Sequence, residues 1–367
     1  MPRPIRPILA LIAASLALAN PSFAYNVHAG LQLIWSRVAD LNGEKGAVES
    51  AEFSPDGQFI VSGSKYDNRL VVWRVLDGTA VWQRTLDDEI ERAGFSPDGR
   101  HVVSAGEDET LRLFRATDGE PLATIPLTAA IDGMAFSPDG KILVTGKEGG
   151  VIQAWAMPEM KLLRSANHGD TVNSVTFTKD GQFVVTASED STAKLWRTSD
   201  LSLVRTYELG KQAYLISVRI SPDQKLIAAG AMEGFVAVWE LETGKRIALI
   251  NHTGRKVEAV DWSKDGRFLA VAGHDDHIRL VATKDLGLAY LPYAHLSEAT
   301  GPAEYLDFSP NGALLVSAHE DGTIRLWLYR AGDSDLNLTS HRELTKRQRE
   351  TAEKRKAERT RKGVEAR

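Results

Sequence analysis

The sequence predicts an all-β fold in which seven four-stranded sheets form a ring, a seven-bladed β-propeller. A short turn motif recurs seven times, an aromatic or apolar residue follows each turn at a fixed distance, and strand-like segments lie between them. Successive turns begin 42, 41, 41, 43, 42 and 46 residues apart, and a period of about 40 residues is typical of propeller blades. The turns are FSPDG from Phe53, Phe95 and Phe136, FTKDG from Phe177, ISPDQ from Ile220, WSKDG from Trp262 and FSPNG from Phe308.

The aromatic or apolar landmark residue after each turn follows the first residue of that turn by 20 positions once and by 19 positions six times. Alternating and apolar segments between the landmarks, interrupted by polar turns, predict the order strand, turn, strand. Proline in the turn restricts φ and glycine permits positive φ, so the chain can reverse between the first and second strands. The landmark residues are Trp73, Phe114, Trp155, Trp196, Trp239, Val281 and Trp327.

The ring is predicted to close through the beginning of the chain. The seventh repeat ends soon after Trp327 and supplies only three strands. The apolar segment 31–38, which contains Trp35 and precedes the first repeat, is the candidate for the missing fourth strand. We therefore expect the propeller to occupy residues 25–335.

Residues 1–24 have the pattern of a secretory signal peptide. Arg3 and Arg6 precede an apolar run over residues 8–19, and a small-residue cleavage pattern ends at Ala24. A membrane anchor is the alternative, but twelve apolar residues are short for a bilayer span. We expect cleavage before Tyr25, a periplasmic or secreted location, and no other membrane span.

Residues 336–367 are predicted to form a basic tail, helical in part or disordered. The segment 342–367 contains eleven Lys or Arg and five Glu, without an apolar face. It could be a solvated extension, or an anchor to anionic envelope components or nucleic acid. It could also be a tether that binds an acidic surface of its own propeller or of a neighbouring molecule. The tail carries 11 − 5 = +6 while the whole chain carries −5, so the remaining body is strongly negative, which disfavours nucleic-acid binding.

The composition excludes several kinds of chemistry. The chain has no cysteine, so disulfides, thiol catalysis and cysteine-ligated zinc are excluded. Apolar residues make up 43% of the chain, enough for a large core. There is no phosphate-binding glycine loop, nucleophile elbow or metalloprotease helix, and no catalytic residue and no cofactor are predicted.

The turns and third-strand tryptophans resemble those of WD40-repeat proteins over about residues 30–330. In the fourth blade, His168, Thr186, Asp190 and Trp196 occupy the positions of that family's structural hydrogen-bond tetrad. The resemblance implies that these four residues support the scaffold. The repeats are degenerate, because no third-strand Trp is followed directly by Asp and blade six has Val281 in place of Trp.

A ring of carboxylates is predicted from the residue four positions before each turn. The resemblance implies that this position surrounds the mouth of the central channel on the top face. Clustered carboxylates repel one another and attract a cation, so we expect the polar members to bind a basic peptide or protein. The alternative is that they are separate solvated residues, or are paired with Arg92 or Lys256. The seven positions hold Glu49, Glu91, Asp132, Asn173, Ile216, Glu258 and Glu304.

The resulting expectation is a non-catalytic WD40-type scaffold, a monomer within a larger complex. The alternative is a lactonase-like propeller hydrolase with a divalent cation held by Asp132, Asn173 and Glu258. A transition-metal site is a further alternative, with His274, Asp275, Asp276, His277 and His319 as its candidate ligands. Histidines in surface turns explain this pattern better, and no metal is predicted.

Overall fold

A computed structural model describes residues 30–40, 46–210, 212–251, 255–274, 277–286, 293–296 and 301–330. The predicted signal peptide and basic tail lie outside these residues. Within the described ranges, no helix is long and apolar enough to cross a bilayer. The helical segments of this part are two short 3-10 turns, Glu148–Gly150 and Thr283–Asp285.

The strands form seven antiparallel four-stranded sheets, as predicted. Blade one contains β2 Val48–Phe53, β3 Phe59–Ser64, β4 Arg69–Arg74 and β5 Ala80–Thr85. Blade two contains β6 Arg92–Phe95, β7 His101–Ala105, β8 Thr110–Arg115 and β9 Pro121–Pro126. Blade three contains β10 Ile131–Phe136, β11 Ile142–Lys147, β12 Val151–Ala156 and β13 Lys161–Asn167.

The remaining blades repeat this order from the channel outward. Blade four contains β14 Val172–Phe177, β15 Phe183–Ser188, β16 Thr192–Arg197 and β17 Leu203–Glu208. Blade five contains β18 Leu215–Ile220, β19 Leu226–Ala231, β20 Phe235–Glu240 and β21 Arg246–Asn251. Blade six contains β22 Val257–Trp262, β23 Phe268–Gly273, β24 Arg279–Ala282 and β25 Tyr293–Leu296. Blade seven contains β26 Ala303–Phe308, β27 Leu314–His319, β28 Thr323–Arg330 and, as its outermost strand, β1 Gly30–Val38.

The predicted closure of the ring is confirmed. Strand β1 pairs antiparallel with β28, from Gly30 opposite Arg330 to Val38 opposite Thr323. Trp35 is buried against blade one, and its indole donates a hydrogen bond to the Val75 carbonyl at 3.0 Å. The beginning of the chain therefore completes the last sheet and also packs on the first.

The repeated turns fold through one hydrogen-bond pattern. In blade one, the Ser54 hydroxyl donates to Asp56 Oδ1 at 2.6 Å, and the same oxygen accepts the Gln58 amide at 3.0 Å. Gly57 follows with φ of 69°, a conformation that glycine adopts without a steric penalty. Blade five has Gln224 at this position with φ of 61°, so its turn keeps the geometry without the glycine. The turns lie on the bottom face, opposite the mouth described below.

The core lies between adjacent sheets. Apolar side chains from the facing sheets of neighbouring blades form separate buried clusters around the ring. The largest fully enclosed side chains include Trp239, Trp262, Phe268 and Phe308. This face-to-face packing holds the seven innermost strands around one channel, and these strands carry the site.

Candidate functional site: the acidic ring

Each ring residue lies where an innermost strand enters its sheet. In six blades the pairing with the second strand is irregular at this residue, as between Val48 and Ser50 around Glu49 and between Val257 and Ala259 around Glu258. A bulge leaves one residue outside the ladder and reorients its side chain. In the second blade, β6 begins one residue after Glu91.

The carboxylates of the ring interact with one another. We call Glu49, Glu91, Asp132, Glu258 and Glu304 the acidic ring. Burial raises the pKa of Glu49 to about 8, with a further contribution from the charges of Glu91 and Glu304. Burial also raises the pKa of Asp132 to about 7, and the pKa of Glu258 is raised by burial and by Glu304. These side chains are neither fully solvated nor electrostatically independent.

One lysine of the chain already occupies part of the ring. Lys65, directly after β3, places its ammonium nitrogen 3.1 Å from Glu89, 3.7 Å from Glu49 and 3.8 Å from Glu91. This contact was not predicted from the sequence, because the residue type at this repeat position, 12 residues after Phe53, differs between blades, as with Glu107 in blade two and His274 in blade six. A single ammonium group is therefore shared by three carboxylates from two blades.

A second group of charges lies between blades six and seven. Lys256 is 2.5 Å from Glu258, the pairing considered from the sequence. His274, at the end of β23, lies 3.1 Å from Glu258, 3.7 Å from Glu304 and 3.2 Å from Glu320. Its contact with Glu304, together with the charges of Glu320 and Glu258, raises the pKa of the imidazole.

Arg92 does not pair with a ring carboxylate within the salt-bridge distance but reaches across the channel below the ring. Its guanidinium donates to the carbonyls of Glu91 at 2.8 Å and Asn173 at 3.3 Å, and lies 5.8 Å from the centre of the Tyr305 ring. Arg219 approaches the same tyrosine and donates to its hydroxyl at 2.9 Å. These three side chains line one pocket together with Glu258 and Glu304 of the acidic ring.

Two of the proposed ring members have distinct surroundings. The side-chain amide of Asn173 donates to the Leu215 carbonyl at 3.0 Å and so links blades four and five. Asp132 Oδ2 is enclosed and has no hydrogen-bond partner among the described residues. Ile216 contributes the one apolar side chain of the seven positions.

The structure groups metal-compatible side chains differently from both arrangements considered from the sequence. In the described part of the chain, the metal-compatible cluster is Glu258, His274 and Glu304, and Asp132 is not in it. His319 is also outside it, because its imidazole is buried against Ser317 at 2.7 Å and Pro302 at 3.2 Å. Burial lowers the pKa of His319 to about 3. Residues 275 and 276 lie outside the described ranges.

The four tetrad residues of blade four form two hydrogen-bonded pairs. His168 Nδ1 lies 3.1 Å from Asp190 Oδ2, and the Trp196 indole donates to the Thr186 hydroxyl at 2.8 Å. The rings of His168 and Trp196 are 5.9 Å apart. Lys194 also contacts Asp190, at 2.8 Å, and the pKa of Asp190 is lowered by these hydrogen bonds against the opposing effect of burial.

The opposite mouth contains charged residues that the sequence analysis did not single out. Glu52 and Asp307 line a cavity of about 470 Å³ together with Lys264. Asp307 accepts the Phe53 amide of the next blade at 2.8 Å. Burial raises the pKa of Glu52 to about 8 and that of Asp307 to about 6. Their common signal is an acidic residue directly before the turn motif, in blades one and seven.

Comparison with known proteins assigns the repeats. The family model described as "WD domain, G-beta repeat" matches residues 35–74, 83–115, 119–155, 160–197 and 293–327. The model of the anaphase-promoting complex subunit 4 WD40 domain matches residues 218–289. The chain belongs to the WD40-repeat family. This assignment confirms the resemblance inferred from the turns and tryptophans.

Curated relatives of this WD40 chain share individual stretches of it. The meiotic recombination protein rec14 of Schizosaccharomyces pombe is 31% identical over 115 residues, 31% of this chain and 36% of that protein. Echinoderm microtubule-associated protein-like 1 of Homo sapiens is 26% identical over 34% of this chain and 15% of its own length. The small ribosomal subunit protein RACK1z of Arabidopsis thaliana is 29% identical over 32% of this chain and 40% of its own length. The matches therefore span less than half the length of each of these relatives.

Proposed function

We propose that this WD40 protein is a non-catalytic interaction module that binds a basic segment of a partner protein at the acidic ring. The observation that carries the proposal is the position of Lys65, whose ammonium group is shared by Glu49, Glu89 and Glu91. The mouth thus already binds a lysine side chain of its own. A lysine or arginine from a partner would meet the same carboxylate oxygens.

The excess of negative charge at the mouth supports the binding of a cationic group from a partner. Burial and the charges of Glu91, Glu148 and Glu89 raise the pKa of Glu107, so acidic groups beyond the ring add to the same field. Lys65 and Lys256 each contact carboxylates that also repel other carboxylates of the ring. Because like charges near a low-dielectric wall repel strongly, a further cation lowers the energy of the mouth.

The family assignment supports an interaction role. Relatives with matching repeats are named as a microtubule-associated protein-like protein and as a protein of the small ribosomal subunit. We infer that this chain likewise acts as a scaffold, as a monomer within a larger assembly. Its partner is defined here by chemistry alone, as a basic peptide segment.

Binding of fluorescein-labelled decalysine to the full chain, measured by anisotropy with a chelator present, tests the proposal. At pH 8.5, where Glu49 with its pKa of about 8 is ionised, the double variant Glu49→Gln/Glu91→Gln should bind the peptide about tenfold more weakly, because two partly buried charges are lost. Glu242→Gln is the matched control, since Glu242 is exposed on the bottom face and should leave the affinity unchanged.

Two results would contradict this function. Equal affinity of the wild type and the double variant would show that the peptide binds elsewhere. Equal binding of a fluorescein-labelled decaglutamate would show that the sign of the charge does not matter. The measurement at several salt concentrations should also show weaker decalysine binding as salt rises.

We further propose that the protein acts outside the cytoplasm. The support is the charged start at Arg3 and Arg6, the apolar run over residues 8–19 and the cleavage pattern ending at Ala24. Intact mass measurement of protein purified from its native cell should give a chain beginning at Tyr25. A mass that includes residues 1–24 would contradict export by a cleaved signal.

A further inference from the structure

The imidazole of His274 is enclosed by acidic groups without a satisfactory hydrogen bond. Its Nε2 atom is inaccessible to solvent and has no hydrogen-bond partner of good geometry among the described residues. Three carboxylate oxygens surround it, from Glu258, Glu304 and Glu320. Glu258 is nearly completely buried, with 4% of its side chain exposed. An imidazole nitrogen with one proton cannot satisfy three carboxylates.

The distances between these atoms fit a tetrahedral metal ion. Zinc bonds of about 2.0–2.1 Å to histidine and carboxylate ligands place neighbouring ligand atoms about 3.3–3.4 Å apart. The observed separations from His274 Nε2 are 3.1 Å to Glu258, 3.2 Å to Glu320 and 3.7 Å to Glu304. The ligand atoms of Glu258, His274 and Glu304 all lie within 4.8 Å of one another. Small side-chain adjustments would therefore bring them to bonding distance of one ion.

The backbone holds these side chains in place. The His274 amide donates to the Lys256 carbonyl at 3.1 Å, and Arg255 donates to the His274 carbonyl at 3.1 Å. This close approach depends on Gly273, because a Cβ atom there would lie 2.0 Å from the Lys256 carbonyl oxygen. Glu258 is fixed in the irregular pairing at the start of β22. The candidate ligands thus come from elements whose positions the fold determines.

We propose that Glu258, His274 and Glu304, with Glu320 as a further ligand, form a binding site for a divalent transition-metal ion of the Zn²⁺ type. The imidazole decides the class of ion, because Mg²⁺ and Ca²⁺ prefer sites made only of oxygen ligands. The site lies at the junction of blades six and seven. It shares Glu258 and Glu304 with the acidic ring, whereas the proposed partner binding is tested at Glu49 and Glu91 of blades one and two.

Lys256 is the internal competitor of the ion. Its ammonium nitrogen lies 2.5 Å from Glu258 Oε1, the oxygen that also faces His274. The lysine side chain is 32% exposed, so it can turn toward solvent when a metal ion takes its place. The metal ion therefore replaces the ammonium group of Lys256 at this position.

Calorimetric titration of chelator-treated full-length protein with ZnCl₂ at pH 7.5 tests the site. We expect one ion per chain and no comparable binding of Ca²⁺. With Co²⁺ in place of Zn²⁺, the absorption spectrum should show the intense visible bands of a four-coordinate ion.

Three variants and a control separate this site from other metal binding. His274→Gln and Glu304→Gln should lose stoichiometric binding, whereas Lys256→Met should bind Zn²⁺ several-fold more tightly because the competing ammonium group is gone. His101→Gln is the control, since His101 is half-buried in β7 of another blade and should not affect the titration. Circular dichroism establishes that each variant is folded.

Several outcomes would overturn the proposal. Absence of stoichiometric Zn²⁺ binding by the wild type would do so, as would undiminished binding by folded His274→Gln. Weaker binding by Lys256→Met would show that the lysine is not displaced. Because decalysine binding is measured with chelator present, failure of the metal site would leave that result unaffected, and the reverse also holds.

Discussion

At the scale of single residues, a buried hydroxyl determines how the third-strand tryptophan is held. In blade one the Trp73 indole donates to Ser62 at 2.8 Å, and blades three, four and seven repeat this contact. Blade two has Phe114 at the tryptophan position, and the enclosed Ser104 hydroxyl has no hydrogen-bond partner among the described residues. The buried serine therefore accepts a hydrogen bond from the tryptophan in blade one, whereas the equivalent serine in blade two is left without a partner in the described part of the chain.

This contrast predicts different effects of the same substitution. Ser62→Ala should lower the free energy of unfolding by about 1–3 kcal/mol, because the buried indole N–H of Trp73 loses its acceptor. Ser104→Ala should be neutral or stabilising, since it removes a buried hydroxyl without a partner. Urea denaturation of both variants measures the difference, and a larger loss for Ser104→Ala would contradict this explanation.

At the scale of elements, β1 connects the two ends of the propeller. Trp35 is buried against blade one, whereas Leu33 on the same strand is 43% exposed. Trp35 thus packs on blade one, whereas Leu31 of the same strand is buried in the cluster between blades six and seven, and loss of the Trp35 contact should weaken the closure of the ring.

Trp35→Ala should destabilise the protein by about 3–5 kcal/mol, because a large buried ring and its hydrogen bond to Val75 are lost. Leu33→Ala is the matched control and should change the free energy of unfolding by less than about 0.5 kcal/mol. Chemical denaturation compares the two. Similar losses would indicate that the closing strand does not pack on the first blade as described.

The sequence predicted the elements better than the site. The repeated turns, the third-strand landmarks and the closing segment around Trp35 each follow from a fixed spacing or a missing strand, which a single sequence displays. Lys65, Arg219 and Tyr305 differ in type from the residues at the equivalent positions of the other blades, and their contacts form only when separate blades meet at the channel. His274 was visible as a histidine in a turn, but its carboxylate neighbours come from the next blade and from another strand.

At the scale of the whole molecule, ring closure gathers carboxylates that repel one another. A carboxyl group with a raised pKa binds its proton more strongly in the folded than in the unfolded chain. Glu49 therefore contributes most stability below its ordinary pKa of about 4.5, and this contribution is lost as pH rises toward about 8. Asp132, with a pKa of about 7, acts in the same direction.

Between pH 5.5 and pH 8.5 we therefore expect the free energy of unfolding of the wild type to fall. The double variant Glu49→Gln/Asp132→Asn should show a shallower decline, because two of the groups that ionise unfavourably are absent. Guanidinium denaturation at both pH values provides the comparison. Equal slopes for the two proteins would contradict the assigned burial of these carboxylates.

The most direct test of the acidic ring as a cation-binding mouth is the affinity of Lys65→Met for fluorescein-labelled decalysine, compared with the wild type by anisotropy in the presence of chelator. Removal of the internal ammonium group leaves Glu49, Glu89 and Glu91 available, so the variant should bind the peptide several-fold more tightly. An unchanged or weaker affinity, with the variant shown to be folded, would contradict the central claim.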